Sequence, residues 1–407
     1  YGKADYAAAI EAYTAVLTRY DSTRYRHDAA YNRVLCYYQL LGSDEGGDSA
    51  TVAIPDFIGG TDTLRLAVSR PSESGLLLAA NEFIRLFPES RNHDQVLMKL
   101  GETLHEMRHF AAAARVYKSI VDLGPGRPYY LSAALNAGQC YFDDSRFEEA
   151  NRWFTSLQEQ FPDSAHYRDR ANRLGTLARF KIAESLAEEG KSEESARLMQ
   201  SVAVTATEAP LRDRALFEAA AQFQKLKNNR AAAEALEQLA AQQPPSELAD
   251  EALYRAAVLR ETEGEWLLAA RDHLLLCDTW PESDYAQRSL KSAAICQENL
   301  QNWGEAERLY SRFALTYPDS LTDLVESLAK AGEMAQKRGD LAAARRHYAS
   351  AVTSWKENGE AAADIDPYYV AQAQFMLGEL LFSEYEKIDL QPPFERSMKR
   401  KVAKFNE

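Results

Sequence analysis

Pro88, Pro125 and Pro162 stand 37 residues apart, and so do Pro244, Pro281 and Pro318. Four of the six sit in near-identical words: LFPES (86–90), QFPDS (160–164), TWPES (279–283) and TYPDS (316–320). Proline cannot continue a helix, and the acid-Ser pair after it can cap the next one, so each word ends one helix and starts another. A period of this length, held in phase, points to a stack of one supersecondary unit.

Each period holds two apolar stretches at helical spacing, separated by a short polar turn. In 94–125 the first face is Leu97, Leu100, Gly101 and Leu104, and the second is Phe110, Ala113, Tyr117 and Ile120. The next period repeats it with Gly138, Tyr141, Phe147, Ala150, Phe154 and Leu157. Two antiparallel helices would therefore cross closely at Gly101 and Ala113, with the bulky residues filling the space between units.

Small-residue crossings, an aromatic opening the second helix, Ala three later, Tyr or Phe four after that and a closing Pro resemble the tetratricopeptide repeat. Further copies carry Ala257, Trp266, Ala269 and Pro281; Ala294, Trp303, Ala306, Tyr310 and Pro318; and Gly332, Leu341, Ala344 and Tyr348. The resemblance implies an all-α, right-handed superhelical solenoid of antiparallel helix pairs with no significant sheet. A period of 37 exceeds the usual value of about 34. With its FPDS-type words it is similar to the repeats of bacterial cell-envelope proteins, which implies a periplasmic or envelope location; a cytoplasmic one stays open.

Residues 1–42 read as a truncated repeat and the first helix of an interrupted one. Residues 43–75 are a Gly/Ser/Asp-rich insertion, expected as a solvent-facing loop, although its apolar VAIPDFI could dock back on the solenoid. The main array covers 76–366, and 367–407 is a last repeat cut short. Between Pro162 and Pro244 there is room for two repeats plus eight residues, which predicts a first helix lengthened by about two turns across 168–188. GKADYAAAIEAYTAVL matches a second helix without its first, and RSMKRKVAKF reads as a helix under way, so the sequence is expected to be a fragment.

Acidic residues number 61 against 47 basic, a formal net charge of −14, which repels nucleic-acid phosphates and argues against that partner class. No run of 18 apolar residues supplies a membrane span. Cys36, Cys140, Cys277 and Cys296 are too scattered for a disulfide framework or a paired metal site and suit small buried hydrophobes. No phosphate loop or nucleophile elbow is present, and no cofactor or small-molecule substrate is expected.

HEMRH (105–109) is the exception, because H-E-x-x-H on one helix would set two imidazoles around zinc. The repeat phase opposes this: the first helix must end near Arg108-His109 for Phe110 to open the second, which puts His109 in the turn. Asp122 and other acids are not singled out as a third ligand. The expected absence is therefore of both a metal site and catalytic residues. A zinc hydrolase is the alternative, as is a repeat appendage of a larger enzyme or membrane protein.

Solenoids of this kind usually bind peptide or helix segments of other proteins on the face lined by their first helices. Counting from the repeat phase, that face takes Met98, Glu102 and Glu106; Leu135, Gln139 and Phe142; and Phe180, Phe217, Tyr254, Phe375 and Phe382. Phe180, Phe217 and Tyr254 lie 37 apart, a line of three aromatics. Glu184, Glu188, Glu261, Glu298 and Glu333 would place negative charge beside them. The expected protein is a non-catalytic scaffold of a bacterial multiprotein assembly.

Overall fold

The computed structural model describes residues 5–20, 23–42, 50–55, 63–160, 165–243, 245–358 and 367–406. Pro162, Pro244 and part of the 43–75 insertion lie outside them. Among the described residues the chain forms nineteen helices and one two-stranded hairpin, in two compact units: 1–188 with 205–207, and 189–204 with 208–407.

The first unit runs α1 (Tyr6–Arg19), α2 (Arg26–Leu40), β1 (Ala50–Pro55), β2 (Thr63–Val68), α3 (Pro71–Leu86), α4 (His93–Glu106), α5 (Phe110–Asp122), α6 (Tyr130–Asp143), α7 (Phe147–Gln160) and α8 (Ala165–Glu188). The second holds α9 (Ser192–Thr205), α10 (Ala209–Lys225), α11 (Asn229–Ala240), α12 (Ala249–Thr262), α13 (Trp266–Thr279), α14 (Ala286–Asn299), α15 (Trp303–Thr316), α16 (Leu321–Lys337), α17 (Leu341–Glu357), α18 (Tyr368–Glu386) and α19 (Phe394–Phe405). Successive helices pack on one another from α1 to α8 in the first unit and from α10 to α19 in the second, and first helices also touch their counterparts one repeat away, α2 with α4, α6 with α8 and α16 with α18. Each unit is thus an all-α solenoid of helix pairs.

The turn inside each pair repeats as faithfully as the core. Arg108, Ser145, Gly190, Lys227, Gly264, Gln301 and Gly339 all have positive φ, spaced by 37 except for 45 across α8 and 38 at the last step. After six of them, all but Gly190, the residue that follows donates its N–H back to a carbonyl five positions earlier, as His109 to Leu104 (2.8 Å), Glu265 to Arg260 (2.9 Å) and Asp340 to Ala335 (2.9 Å). A left-handed residue with this bond ends a helix and satisfies its orphan carbonyls. The longer step reflects the lengthening of α8, which has 24 residues where the preceding first helix, α6, has 14.

Glycine at the crossing lets the second helix press its ring against the first. A Cβ on Gly101 would lie 2.6 Å from the Tyr117 ring, on Gly138 2.5 Å from Phe154, and on Gly332 2.7 Å from Tyr348. Burying each ring contributes roughly 2–3 kcal/mol. The α2–α3 pair reverses the roles: the ring is Tyr37 on the first helix and the glycine is Gly75 on the second.

The insertion differs from the expected loop. β1 and β2 pair antiparallel, Ala50 opposite Val68 and Ile54 opposite Leu64. Ile54, Leu66 and Val68 are buried in the same core as Leu76, Ala80 and Phe83 of α3. Asn81 Nδ2 donates to the Pro55 carbonyl (2.9 Å). Leu64, Leu66 and Val68 alternate at the strand period, a signal present in the sequence but short. The α3 helix begins at Pro71, inside the stretch expected as insertion, with proline in the first turn and Glu73 accepting from the N–H groups of Ser69 (2.7 Å) and Arg70 (3.0 Å). Burial pushes the Glu73 carboxyl up, but these donors and the Arg70 guanidinium hold it below the usual carboxylate range.

Candidate functional site

In the first unit the first-helix face is built by α2, α4 and α6. Tyr31 and Tyr38 stand seven residues apart on α2 and meet Gln95 and Glu102, seven apart on α4, so two hydrogen bonds tie the helices at the same pitch: Tyr31 Oη to Gln95 (2.7 Å) and Tyr38 Oη to Glu102 (3.1 Å). Lys99 Nζ sits 3.5 Å over the Tyr38 ring. Burial, and then the Glu102 charge, push the Tyr38 hydroxyl up. From α4 to α6, the His105 Nε2 lies 2.7 Å from Asp143, which also accepts from Gln139 (3.0 Å). Phe142 is half-buried with its ring edge-on to Phe147 at 5.2 Å, and Glu106 is exposed at the end of α4.

These contacts also answer HEMRH. His105 belongs to α4 and engages Asp143, whereas His109 lies beyond the helix end, before α5, with its Nε2 2.7 Å from the Ala67 carbonyl of the hairpin. The two imidazoles face different partners. Among the described residues no group of three His, Cys, Asp or Glu side chains converges as a metal set.

In the second unit the acids counted as free charge are committed. Glu261 lies 3.2 Å from His273 Nε2 and accepts from Cys296 Sγ (3.4 Å). Glu298 accepts from Tyr310 Oη (3.0 Å) and Lys330 Nζ (3.3 Å). Gln336 completes the series by accepting from Tyr348 Oη (3.1 Å). In all three the acceptor on the first helix stands twelve residues before the ring that plugs the pair. Burial pushes Glu261 up, yet the hydrogen bonds from His273 and Cys296 hold it below the usual carboxylate range. Lysines from the first helices neutralise the rest: Lys291 bonds Asp323 (2.8 Å) and Glu326 (2.6 Å), and Lys337 bonds Glu333 (2.8 Å).

The line of three aromatics does not survive as a contact surface. Phe180 is 1% exposed, and Met98 and Leu135, which like it stand ten residues before the turn of their pair, are buried as well. Phe217 and Tyr254 are half-buried: the Arg255 guanidinium lies 4.9 Å over the Phe217 ring, and Tyr254 stacks on Tyr285 at 4.8 Å. Glu184 is paired with Lys181 (2.7 Å), and Glu188 is exposed at the end of α8. Phe375 and Phe382 are exposed on α18. Counting acids and aromatics missed Tyr31, Tyr38, Lys99, Lys291 and Lys330; the seven-residue spacing of the two tyrosines was the one signal available for them.

Two family models, both described as tetratricopeptide repeat, match residues 97–165 and 292–320. No curated protein matches in sequence. Similar solved structures include nearly identical TPR-like repeats of a putative kinesin light chain from Podosopora anserina (15% identity, 45% of this chain and 96% of that one, TM-score 0.30). Others are the TPR2AB domain of yeast Sti1 in complex with pHSP90 (17%, 70% and 100%, 0.28) and the C-terminal part of a TPR repeat-containing protein from Cytophaga hutchinsonii (13%, 66% and 98%, 0.31).

Proposed function

We propose that this chain, a tetratricopeptide-repeat protein, is a non-catalytic scaffold that holds segments of other proteins on its first-helix faces. The observation that carries the reading is the chemistry of those faces. Half-buried rings (Tyr31, Tyr38, Phe142, Phe217, Tyr254) alternate with amides and with acid–lysine pairs whose charges cancel locally. Such a surface supplies aromatic anchors and adaptable hydrogen bonds without a strong field of either sign, which suits an extended or helical segment with apolar side chains. The setting we assign is a bacterial envelope assembly, supported by the 37-residue period and its FPDS-type words; recovery of the native protein in the soluble cytoplasmic fraction would sink that assignment.

The test compares protein partners captured by the wild type with those captured by Tyr38→Ala/Phe142→Ala and Phe217→Ala/Tyr254→Ala variants. Leu275→Ala, at an exposed position on a second helix, serves as the control. Partners lost from a first-helix variant but kept by the control support the reading. Equal retention by all three removes the first-helix faces as the binding surface.

A further inference from the structure

The last helix pair carries half of a contact that every comparable pair completes. Gly101 and Tyr117, Gly138 and Phe154, and Gly332 and Tyr348 are each sixteen residues apart, and in each the ring lies over the glycine. Gly378 and Phe394 are also sixteen apart, yet among the described residues nothing lies within 4 Å of the Gly378 Cβ direction and Phe394 is 59% exposed. The cause is local. The rings sit seven residues into second helices that begin at Phe110, Phe147 and Leu341, and the matching stretch here, KIDLQPP (387–393), holds Pro392 and Pro393, which a helix interior cannot accept. The helix starts only at Phe394, and α19 meets the last turn of α18 through Lys404 with Glu384, Lys401 over the Tyr385 ring (4.7 Å) and Phe405 beside it (6.1 Å).

Two stripes are left open. On α18, Phe375 and Phe382 stand seven residues apart, with Ala371 and Gly378 four residues before each, all exposed, flanked by the exposed Glu379 and Glu386. On α19, Phe394, Met398, Val402 and Phe405 form one exposed face of a helix with no buried residue. The stripes match. The small residues of α18 leave room between its rings for the bulky ones of α19, and α19 has five basic residues against one acidic, whereas α18 has three acidic and none basic. Pairing α19 with α19, or α18 with α18, would oppose like charges.

We infer that α19 of a second copy of this chain lies along α18, seating its Phe394 over Gly378, with the reciprocal contact making a two-fold dimer. Its own α19 is held away by the Tyr385 and Glu384 contacts, and the opposite charges of the two helices favour the partner's α19 as the occupant. Small residues at Ala371 and Gly378 let a helix approach closely and contribute nothing to lipid insertion, which favours a helix over a membrane surface as the occupant.

Sedimentation equilibrium over a concentration series tests this. The wild type should pass from one-chain to two-chain mass, and Gly378→Arg, which puts bulk and a like charge under Phe394, should weaken the dimer at least about tenfold. Lys399→Glu/Arg400→Glu and Glu379→Lys/Glu386→Lys chains should each be weakened alone and recover two-chain mass when mixed, provided each melts as the wild type does. One-chain mass at every concentration overturns the inference, as does a dimer indifferent to Gly378→Arg. One-chain protein that floats with anionic phosphatidylserine vesicles through α19 overturns it in favour of a lipid surface.

Discussion

The α12–α13 and α14–α15 pairs are the same unit 37 residues apart, and they solve the same packing problem with opposite chemistry. Trp266 and Trp303 open the second helices, Ala257 and Ala294 make the crossings, and Ala269 and Ala306 face them. Where α15 has Leu309 and Tyr310, α13 has Asp272 and His273, all four buried. Where α14 ends with Gln297 accepting from Asn302 (3.1 Å), α12 ends with Arg260 bonded to Glu237 (2.9 Å) and Glu265 (2.6 Å). The repeat therefore fixes shape and hydrogen-bond geometry, while polarity is free to vary inside one mould.

The sharpest break between the two pairs comes from removing the plug. Tyr310→Ala should cost roughly 3–5 kcal/mol in denaturant unfolding, from lost ring burial and a cavity between helices. His273→Ala should cost about 2 kcal/mol, since imidazole is smaller and its buried Nδ1 finds no partner among the described residues. Equal losses would show that ring size does not set the strength of the crossing. Next in size is Arg260→Ala, expected to cost about 2 kcal/mol because it removes a buried guanidinium and leaves Glu265 with Arg230 (2.8 Å) and Glu237 with Arg271 (3.5 Å) as their remaining partners, against about 1 kcal/mol for Gln297→Ala. If the neutral pair proved the costlier to break, the buried guanidinium would be contributing little.

The same contrast explains what the sequence could and could not tell. The helix pairs, their crossings and the extra turns of α8 were legible because each rests on residue types recurring in phase: Gly101 with Tyr117, Phe110 with Phe147, and the 45-residue step. The charge of the face was not. Glu261 and Glu298 look alike as letters, and their meaning depends on partners twelve to 35 residues away, His273 and Cys296 for one and Tyr310 and Lys330 for the other. Phe180 was misread for a related reason: its spacing to Phe217 is regular, but the position ten residues before the turn is buried at Met98, Leu135 and Phe180 and half-buried at Phe217 and Tyr254, a difference the spacing does not carry. The hairpin escaped because five or six alternating residues amid Gly, Ser and Asp carry too short a pattern to outweigh the loop composition around them.

Asp272 gives the third contrast, one of pH. Burial, resisted by Arg271 and reinforced by the Glu237 charge, pushes its carboxyl up to about 6. The folded value lies above the unfolded one of about 3.9, so the folded chain holds this proton more tightly. The stability it adds is full below the unfolded value and is lost as pH rises through 6, up to about 3 kcal/mol for a shift of this size. Asp272→Asn should therefore raise stability at pH 7 and flatten the change between pH 4 and 6.5, whereas Leu309→Asn should destabilise at every pH. An unchanged slope in Asp272→Asn would mean that the carboxyl stays ionised throughout.

The smallest contrast sits in the backbone, at the turn between the two helices. Gly264 closes α12 with φ +71°, and Gln301 closes α14 with φ +57°, both followed by the same back-bond, Glu265 to Arg260 and Asn302 to Gln297 (2.9 Å each). An L residue in this region crowds its own carbonyl, a strain of about 1 kcal/mol that glycine avoids. Glycine in turn loses more freedom on folding, which offsets part of that gain. Gln301→Gly should thus stabilise by about 0.5 kcal/mol, and Gly264→Ala should destabilise by about 1 kcal/mol, with neither change reaching the core. Because the back-bond is identical in the two turns, a larger loss in Gly264→Ala would have to come from the Arg260–Glu265 pair beneath it. Repeating the substitution in an Arg260→Gln/Glu265→Asn background, which installs the α14 end on α12, separates the two: backbone strain leaves the loss unchanged, and a loss that vanishes belongs to the ion pair.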